Sequence, residues 1–95
     1  MKTISLDASG WQSPDDFYSA LLPALGAPAW HGRNLNALDE SLGEAGINEV
    51  RPPYVVEVTG TAGLSSHMSE FLAEVAKVFE DAQRESRGQV SLLMS

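Results

Sequence analysis

The chain has 95 residues, of which 43% are hydrophobic, and its 13 acidic and 6 basic residues give a formal net charge of −7. A chain this short builds one hydrophobic core, so we expect a single domain over residues 1–95. The charge argues against direct nucleic-acid binding and favours a cationic partner, although many small soluble proteins are acidic only for solubility.

The sequence contains no cysteine, which excludes disulfides, thiolate catalysis and cysteine-ligated metals. Residues 1–7 reach an acidic side chain too soon for the apolar core of a signal peptide, and no apolar run approaches the length of a membrane span. We therefore expect a cytoplasmic protein without a membrane segment, a metal or another cofactor.

Residues 1–25 predict one strand and one helix. Ile4 and Leu6 alternate with polar residues and predict a first strand over residues 3–6. Residues 13–16, Ser-Pro-Asp-Asp, form a strong helix start, because serine caps, proline is tolerated at the first helical position and aspartate favours the positive end of the helix dipole. The apolar stripe of this helix consists of Phe17, Leu21, Leu22 and Leu25.

Pro23 lies inside this predicted helix. Proline lacks a backbone N–H and its ring clashes with the preceding turn, at a cost of about 3 kcal/mol, so we expect a kink or an early end near Leu22. Gly26 then supplies a stop. In the loop over residues 8–12, Trp11 is expected to cover an edge of the core.

Residues 28–42 join a tight loop to a second helix, which we expect to run from about residue 35 to residue 45 with Gly46 as a left-handed cap. Asn34 can accept hydrogen bonds from the first free N–H groups of this helix. The leucines fall at i, i+3 and i+7 and form one apolar stripe, so the opposite side faces solvent. The stripe consists of Leu35, Leu38 and Leu42, and the opposite side carries Asn36, Glu40, Gly43 and Glu44, with Asp39 near the border.

The second half of the chain predicts a strand, a long helix and a last strand. Residues 54–58 are rich in β-branched side chains, and residues 90–94 are apolar. Between them, Ser65 or Ser66 can cap a helix that Gly88 ends. Strands that alternate with helices predict an α/β fold with a parallel sheet, but the pattern does not fix the order of the strands.

Residues 28–42 resemble the barstar family of intracellular ribonuclease inhibitors. The resemblance rests on a loop with proline, an aromatic residue and glycine, followed by Asn-Leu-Asn-Ala-Leu and acidic residues before another leucine. It is echoed in the same order by residues 53–57, by residues 79–82 and by the last apolar strand. The family implies an α/β fold in which a small three-stranded parallel sheet packs with three to four helices.

The resemblance also implies a function. Such a protein is not an enzyme but a monomer that binds a small basic extracellular ribonuclease, barnase-like or otherwise guanyl-specific, in a one-to-one complex. It occludes the active site of the ribonuclease with a loop and an acidic side of a helix. Partner contacts are thereby implied for Trp30, Gly32, Asn34, Leu35, Asn36, Asp39, Glu40, Gly43, Glu44 and Asp81.

Glu40 is the central residue of this implied surface. In the family, a carboxylate at this helix position enters the site that holds the substrate phosphate, where it accepts charge-assisted hydrogen bonds from cationic groups. The best-known family member has aspartate there, so the glutamate of this chain is one methylene longer. From helical periodicity alone, Glu40 is an ordinary solvated residue.

Other positions also have two interpretations. Trp30 stands at the aromatic position of the family, typically a tyrosine, and either contacts the ribonuclease or folds back onto the first helix. Asn36 stands where a family member carries aspartate, and it either tunes specificity or helps to finish the helix start. Asp39 stands where the best-known family member has a large aromatic residue, so a charge takes the place of an apolar contact. Asp81 either contacts the partner or pairs with Arg84, one turn away.

Two other functions stay open. The departures at Asn36 and Asp39 are compatible with immunity to a different basic nuclease or toxin domain. The other alternative is a small enzyme that acts on a cationic or carbonyl substrate, but His31 and His67 supply neither a general base with a nucleophile nor three zinc ligands. Neighbours on a helix point about 100° apart, so Asp39 and Glu40 do not form a catalytic pair of carboxylates.

Overall fold

The computed structural model describes residues 2–29, 31–43, 48–51, 53–85 and 89–95, and these residues form a three-stranded sheet with three α-helices. The elements follow in the order β1 (Lys2–Asp7), α1 (Pro14–Leu25), α2 (Leu35–Gly43), β2 (Tyr54–Thr59), α3 (Ser66–Glu85) and β3 (Val90–Met94), with a short 3-10 helix at Thr61–Gly63. The predicted α/β fold with a small parallel sheet is confirmed. The caps predicted at Gly46 and Gly88 lie outside the described residues.

The sheet is parallel, and β2 is its central strand, with β1 on one side and β3 on the other. Ile4 of β1 lies opposite Val56 of β2, which in turn lies opposite Leu92 of β3. Alternate residues of β2, beginning with Tyr54, are buried, and the residues between them stay partly exposed. Since successive side chains of a strand point to opposite faces, one face of the sheet packs against the core and the other remains open to solvent.

The core joins the buried face of the sheet to apolar side chains from all three helices. An aromatic cluster extends it at the start of α1, where Trp11 and Phe17 pack edge to face with their ring centroids 5.8 Å apart. Phe17 also packs edge to face against Phe71 of α3, at 5.6 Å. Trp11 is half-buried against the core, which confirms its predicted place at a core edge. None of the helices in the described part of the chain is long and apolar enough to cross a membrane.

The early end predicted near Leu22 is wrong, because α1 continues through Pro23 to Leu25, and the alternative of a kink stays a prediction. Pro23 is exposed in the last turn, so its ring meets little besides the helix, and Leu25 is fully buried. Gly26, with φ 67°, closes the helix. Its N–H donates to the Pro23 carbonyl at 3.1 Å, and the N–H of Ala27 donates to the Leu22 carbonyl at 2.9 Å. These two bonds form a Schellman motif, which satisfies carbonyls left free at a helix end.

A segment that precedes β2 also holds the end of α1. The N–H of Val50 donates to the Leu25 carbonyl at 3.0 Å, and the N–H of Glu49 donates to the Gly26 carbonyl at 3.1 Å. Tertiary hydrogen bonds and burial therefore offset the local cost of Pro23. A methyl group added at Gly26 would lie only 2.6 Å from Cβ of Glu49.

Gly26→Ala is expected to lower the free energy of unfolding by about 1–3 kcal/mol, because alanine is disfavoured at positive φ and its methyl group would clash with Glu49. Urea unfolding followed by circular dichroism measures this loss. Gly63→Ala is the matched control, since a methyl group there meets nothing within 4 Å and the φ of Gly63 is not positive. Equal midpoints for the two variants would contradict the prediction.

A second prediction concerns alkaline pH. Burial raises the pKa of Tyr54 to about 12, whereas an unfolded tyrosine ionises near pH 10. The folded state therefore keeps a proton that the unfolded state releases, so this contribution to stability is complete below about pH 10 and is lost as the pH rises toward 12. Tyr54→Phe should flatten the fall in unfolding free energy between about pH 10 and 12 without abolishing it, because burial also raises the pKa of Tyr18. An unchanged slope would contradict this expectation.

Candidate functional site: the loop before α2 and the exposed side of α2

The loop over residues 31–34 is held by local hydrogen bonds. The N–H of His31 donates to the Pro28 carbonyl at 3.0 Å, and Nδ1 of His31 lies 2.7 Å from the carbonyl oxygen of Gly32. Because a carbonyl only accepts, this contact assigns the proton to Nδ1. His31 is 8% exposed, and its Nε2 is buried without a hydrogen-bond partner among the described residues. Sequence reasoning found no catalytic partner for His31, and it did not predict that this side chain is buried and supports the loop.

Asn34 starts α2 as predicted. Its Oδ1 accepts a hydrogen bond from the N–H of Ala37 at 2.8 Å, and its carbonyl accepts one from the N–H of Leu38 at 3.1 Å. A methyl group at Gly32 would lie 3.0 Å from Nδ2 of Asn34 and 3.1 Å from Cβ of Ala37. The absence of a side chain at Gly32 therefore lets the capping asparagine lie close to the loop backbone.

The exposed side of α2 carries Asn36, Asp39 and Glu40, which we call the acidic face. On the other side, Leu38 is 0% exposed and Leu42 is 4% exposed, as the helical periodicity predicts. Leu35 was expected in the same buried stripe but is only half-buried, because it lies in the first turn, at the edge of the core. Residues of the predicted surface from Gly32 to Glu40 thus share one contiguous loop and helix.

Four further contacts were predicted from the family resemblance. Gly43 is the last residue of α2. Trp30 and Glu44 lie outside the described residues. Asp81 lies on α3, where its carboxylate accepts a hydrogen bond from Arg84, three residues on, and both side chains are exposed. The pairing alternative for Asp81 is therefore present in the structure.

Within the described part of the chain, the carboxylates of the acidic face lack a cationic partner. Among the described residues, no ion pair includes Asp39 or Glu40. Both side chains are exposed, and neither lies in the first turn of α2, where the positive end of the helix dipole would stabilise a negative charge. Free carboxylates on a rigid helix can accept charge-assisted hydrogen bonds from arginine, lysine or protonated histidine of a partner.

Arg33 is a functional candidate that sequence reasoning missed. Its Nη1 donates to the carboxylate of Asp15 at 2.5 Å, to Oγ of Ser19 at 3.0 Å and to the Asp15 carbonyl at 3.3 Å. Asp15 and Ser19 lie one turn apart on α1, but this spacing does not tell which cation they meet, so the sequence carried no signal for the contact. Within the described residues, no group of three histidine, aspartate or glutamate side chains is placed to hold a metal ion.

Comparison with known families gives a match over residues 1–94 to a family model described as Barstar (barnase inhibitor). The matched range includes every described helix and strand. Comparison with curated proteins gave no match. The basis for a functional proposal is therefore the family together with the site geometry.

Asn34→Ala is expected to lower the free energy of unfolding by about 1 kcal/mol, because it removes the cap of α2 and leaves the N–H of Ala37 without its acceptor. Asn36→Ala is the matched control on the same helix, since Asn36 is exposed and alanine has the higher helix propensity. Urea unfolding of both variants measures the difference. A loss for Asn36→Ala as large as that for Asn34→Ala would show that the cap is not the cause.

Proposed function

Because the chain belongs to the barstar family, whose members are inhibitors and not enzymes, we propose that it inhibits a small basic secreted microbial ribonuclease. Family membership implies a barnase-like partner. The proposed partner is a guanyl-specific ribonuclease from the same source as this protein. The inhibitor acts in the cytoplasm, as a monomer that binds one ribonuclease, and protects the producing cell before the enzyme is exported.

The acidic face is the observation that supports this proposal most directly. Asp39 and Glu40 are exposed and lack an intramolecular cation among the described residues. The active site of a ribonuclease concentrates cationic groups that hold the substrate phosphate, and a carboxylate can take the place of that phosphate. Glu40 is the residue proposed to do so, with Asp39 beside it.

The loop supplies the second part of the proposed surface. Gly32 and Asn34 keep the loop close to the start of α2, so that loop and helix approach a partner as one unit. Trp30 is proposed to stack on the ribonuclease, since tryptophan buries a large area with few rotatable bonds. The other proposed contacts are Leu35, Asn36, Gly43, Glu44 and, at the rim, Asp81.

Electrostatic attraction should govern the association rate. The formal net charge of −7 attracts a basic protein over a longer range than any single contact. Salt screens this attraction, so the association rate should fall as the salt concentration rises. Contacts that become buried around Glu40 should instead set the dissociation rate.

A second candidate function is immunity to a different basic nuclease or toxin domain. It is favoured by Asn36 and Asp39, which depart from the residues that the family resemblance leads us to expect and are both exposed on the acidic face. The two candidates share the fold and the surface but differ in the catalytic residues that the surface covers. Inhibition of RNA cleavage separates them.

The test is a titration of this protein into a secreted guanyl-specific microbial ribonuclease, with RNA cleavage followed at low and at moderate salt. We expect cleavage to stop at one-to-one stoichiometry. Glu40→Gln removes the charge but keeps the shape, and it is expected to weaken binding by about 2 kcal/mol or more, or roughly thirtyfold. Trp30→Ala should also weaken binding.

Glu70→Gln is the matched control, because Glu70 is an exposed glutamate on α3 and the substitution removes the same charge. It should change only the association rate, and only slightly. Equal effects of Glu40→Gln and Glu70→Gln would show that net charge, and not the acidic face, carries the binding. Full RNA cleavage at every inhibitor concentration would contradict inhibition of this ribonuclease and favour the second candidate function.

A further inference from the structure

Arg33 links the loop over residues 31–34 to α1. Its Nη1 reaches the carboxylate of Asp15 at 2.5 Å, the hydroxyl of Ser19 at 3.0 Å and the carbonyl of Asp15 at 3.3 Å, and we call these three bonds the Arg33 clamp. The bonded residues are separated by 14 and 18 positions in the chain. Among the described residues, every side-chain hydrogen bond from this loop to α1 comes from Arg33.

The clamp joins α1 to the residue that precedes the cap of α2. On one side, α1 is anchored in the core by residues that include Phe17 and Leu21, both 0% exposed. On the other side, Arg33 stands between Gly32 and Asn34, next to the cap of α2. The clamp therefore fixes the loop to a helix that cannot move without disturbing the core.

The clamp contributes little to global stability. The side chain of Arg33 is 48% exposed and that of Asp15 is 68% exposed, and an exposed ion pair contributes about 0–1 kcal/mol to folding. The clamp should instead favour binding, because a loop that is already ordered loses less conformational entropy when a partner docks. The clamp also has an electrostatic effect, since Asp15 partly neutralises the only cation in the loop, which would otherwise repel a basic partner.

We propose that Arg33 is a positioning residue, which acts through Asp15 and Ser19 to pre-organise the partner-binding loop. The expected effect of Arg33 on affinity rests on the proposed inhibitor function. Its expected effect on the order of the loop in the free protein does not. Arg33 is not proposed to touch the ribonuclease.

The test compares Arg33→Gln with Lys77→Gln, which removes the same charge from an exposed position on α3. Both substitutions change the formal net charge from −7 to −8, so both should slightly raise the association rate with the ribonuclease. Only Arg33→Gln should also raise the dissociation rate, by about three- to tenfold, because the free loop is less ordered. Equal dissociation rates for the two variants would overturn the inference.

A charge swap separates positioning from direct contact. The double variant Asp15→Arg with Arg33→Asp keeps the net charge and can re-form the ion pair, so it should recover most of the lost residence time. Asp15→Asn alone should raise the dissociation rate, as Arg33→Gln does. A dissociation rate that depends on Arg33 but not on Asp15 would overturn positioning in favour of direct contact.

A measurement on the free protein keeps the inference testable when no ribonuclease is bound. The amide of His31 is hydrogen-bonded to Pro28, and its hydrogen exchange reports the opening of the loop. Arg33→Gln should speed this exchange about three- to tenfold, whereas Lys77→Gln should not. Unchanged exchange would overturn the clamp itself. Faster exchange without ribonuclease inhibition by the wild-type protein would support the clamp while rejecting the proposed function.

Discussion

The parallel pairing of β2 with both neighbouring strands is the constraint on which the rest of the structure depends. Parallel strands cannot be joined by a tight turn, so the chain must leave the sheet after β1 and return to the start of β2 through helices. The segment that leads into β2 meets the end of α1, where Val50 donates to the Leu25 carbonyl. The end of α1, from which the chain continues into the loop before α2, is thereby fixed to the segment that enters the central strand. An exposed surface built on this loop therefore begins at a helix end that tertiary hydrogen bonds hold in place.

Local patterns predicted most elements because local and tertiary preferences agree in this chain. The N-cap at Asn34 and the last strand at residues 90–94 were predicted as they are observed. Pro23 is the instructive exception, because its cost is local whereas the bonds that offset it come from a segment more than twenty positions further along the chain. The order of the strands was not predictable for a similar reason, since the alternation of helices and strands is compatible with more than one order.

The candidate site was only partly predictable. Helical periodicity alone places Asn36 and Glu40 on the exposed side of α2, as observed, whereas Asp39, which was predicted near the border of the leucine stripe, is also exposed. The assignment of a partner to that side came from the family resemblance, because exposed carboxylates are common on helices without a binding role. The Arg33 clamp joins distant positions, and no sequence pattern tells which carboxylate an exposed arginine will meet. The buried place of His31 likewise depends on how the loop packs.

The intramolecular ion pairs sort the carboxylates of the described residues into two kinds. Asp15 and Asp81 each have a cation within reach, so part of their field is cancelled inside the molecule. Asp39 and Glu40 form no ion pair with a described residue, and neither lies in the first turn of α2, where the helix dipole would stabilise a negative charge. The acidic face therefore keeps its negative charge beside a loop whose own cation, Arg33, is already paired with α1. A basic partner would meet an acidic surface that is ordered before it arrives, so the pairing of Arg33 serves both the shape and the charge of the proposed binding surface.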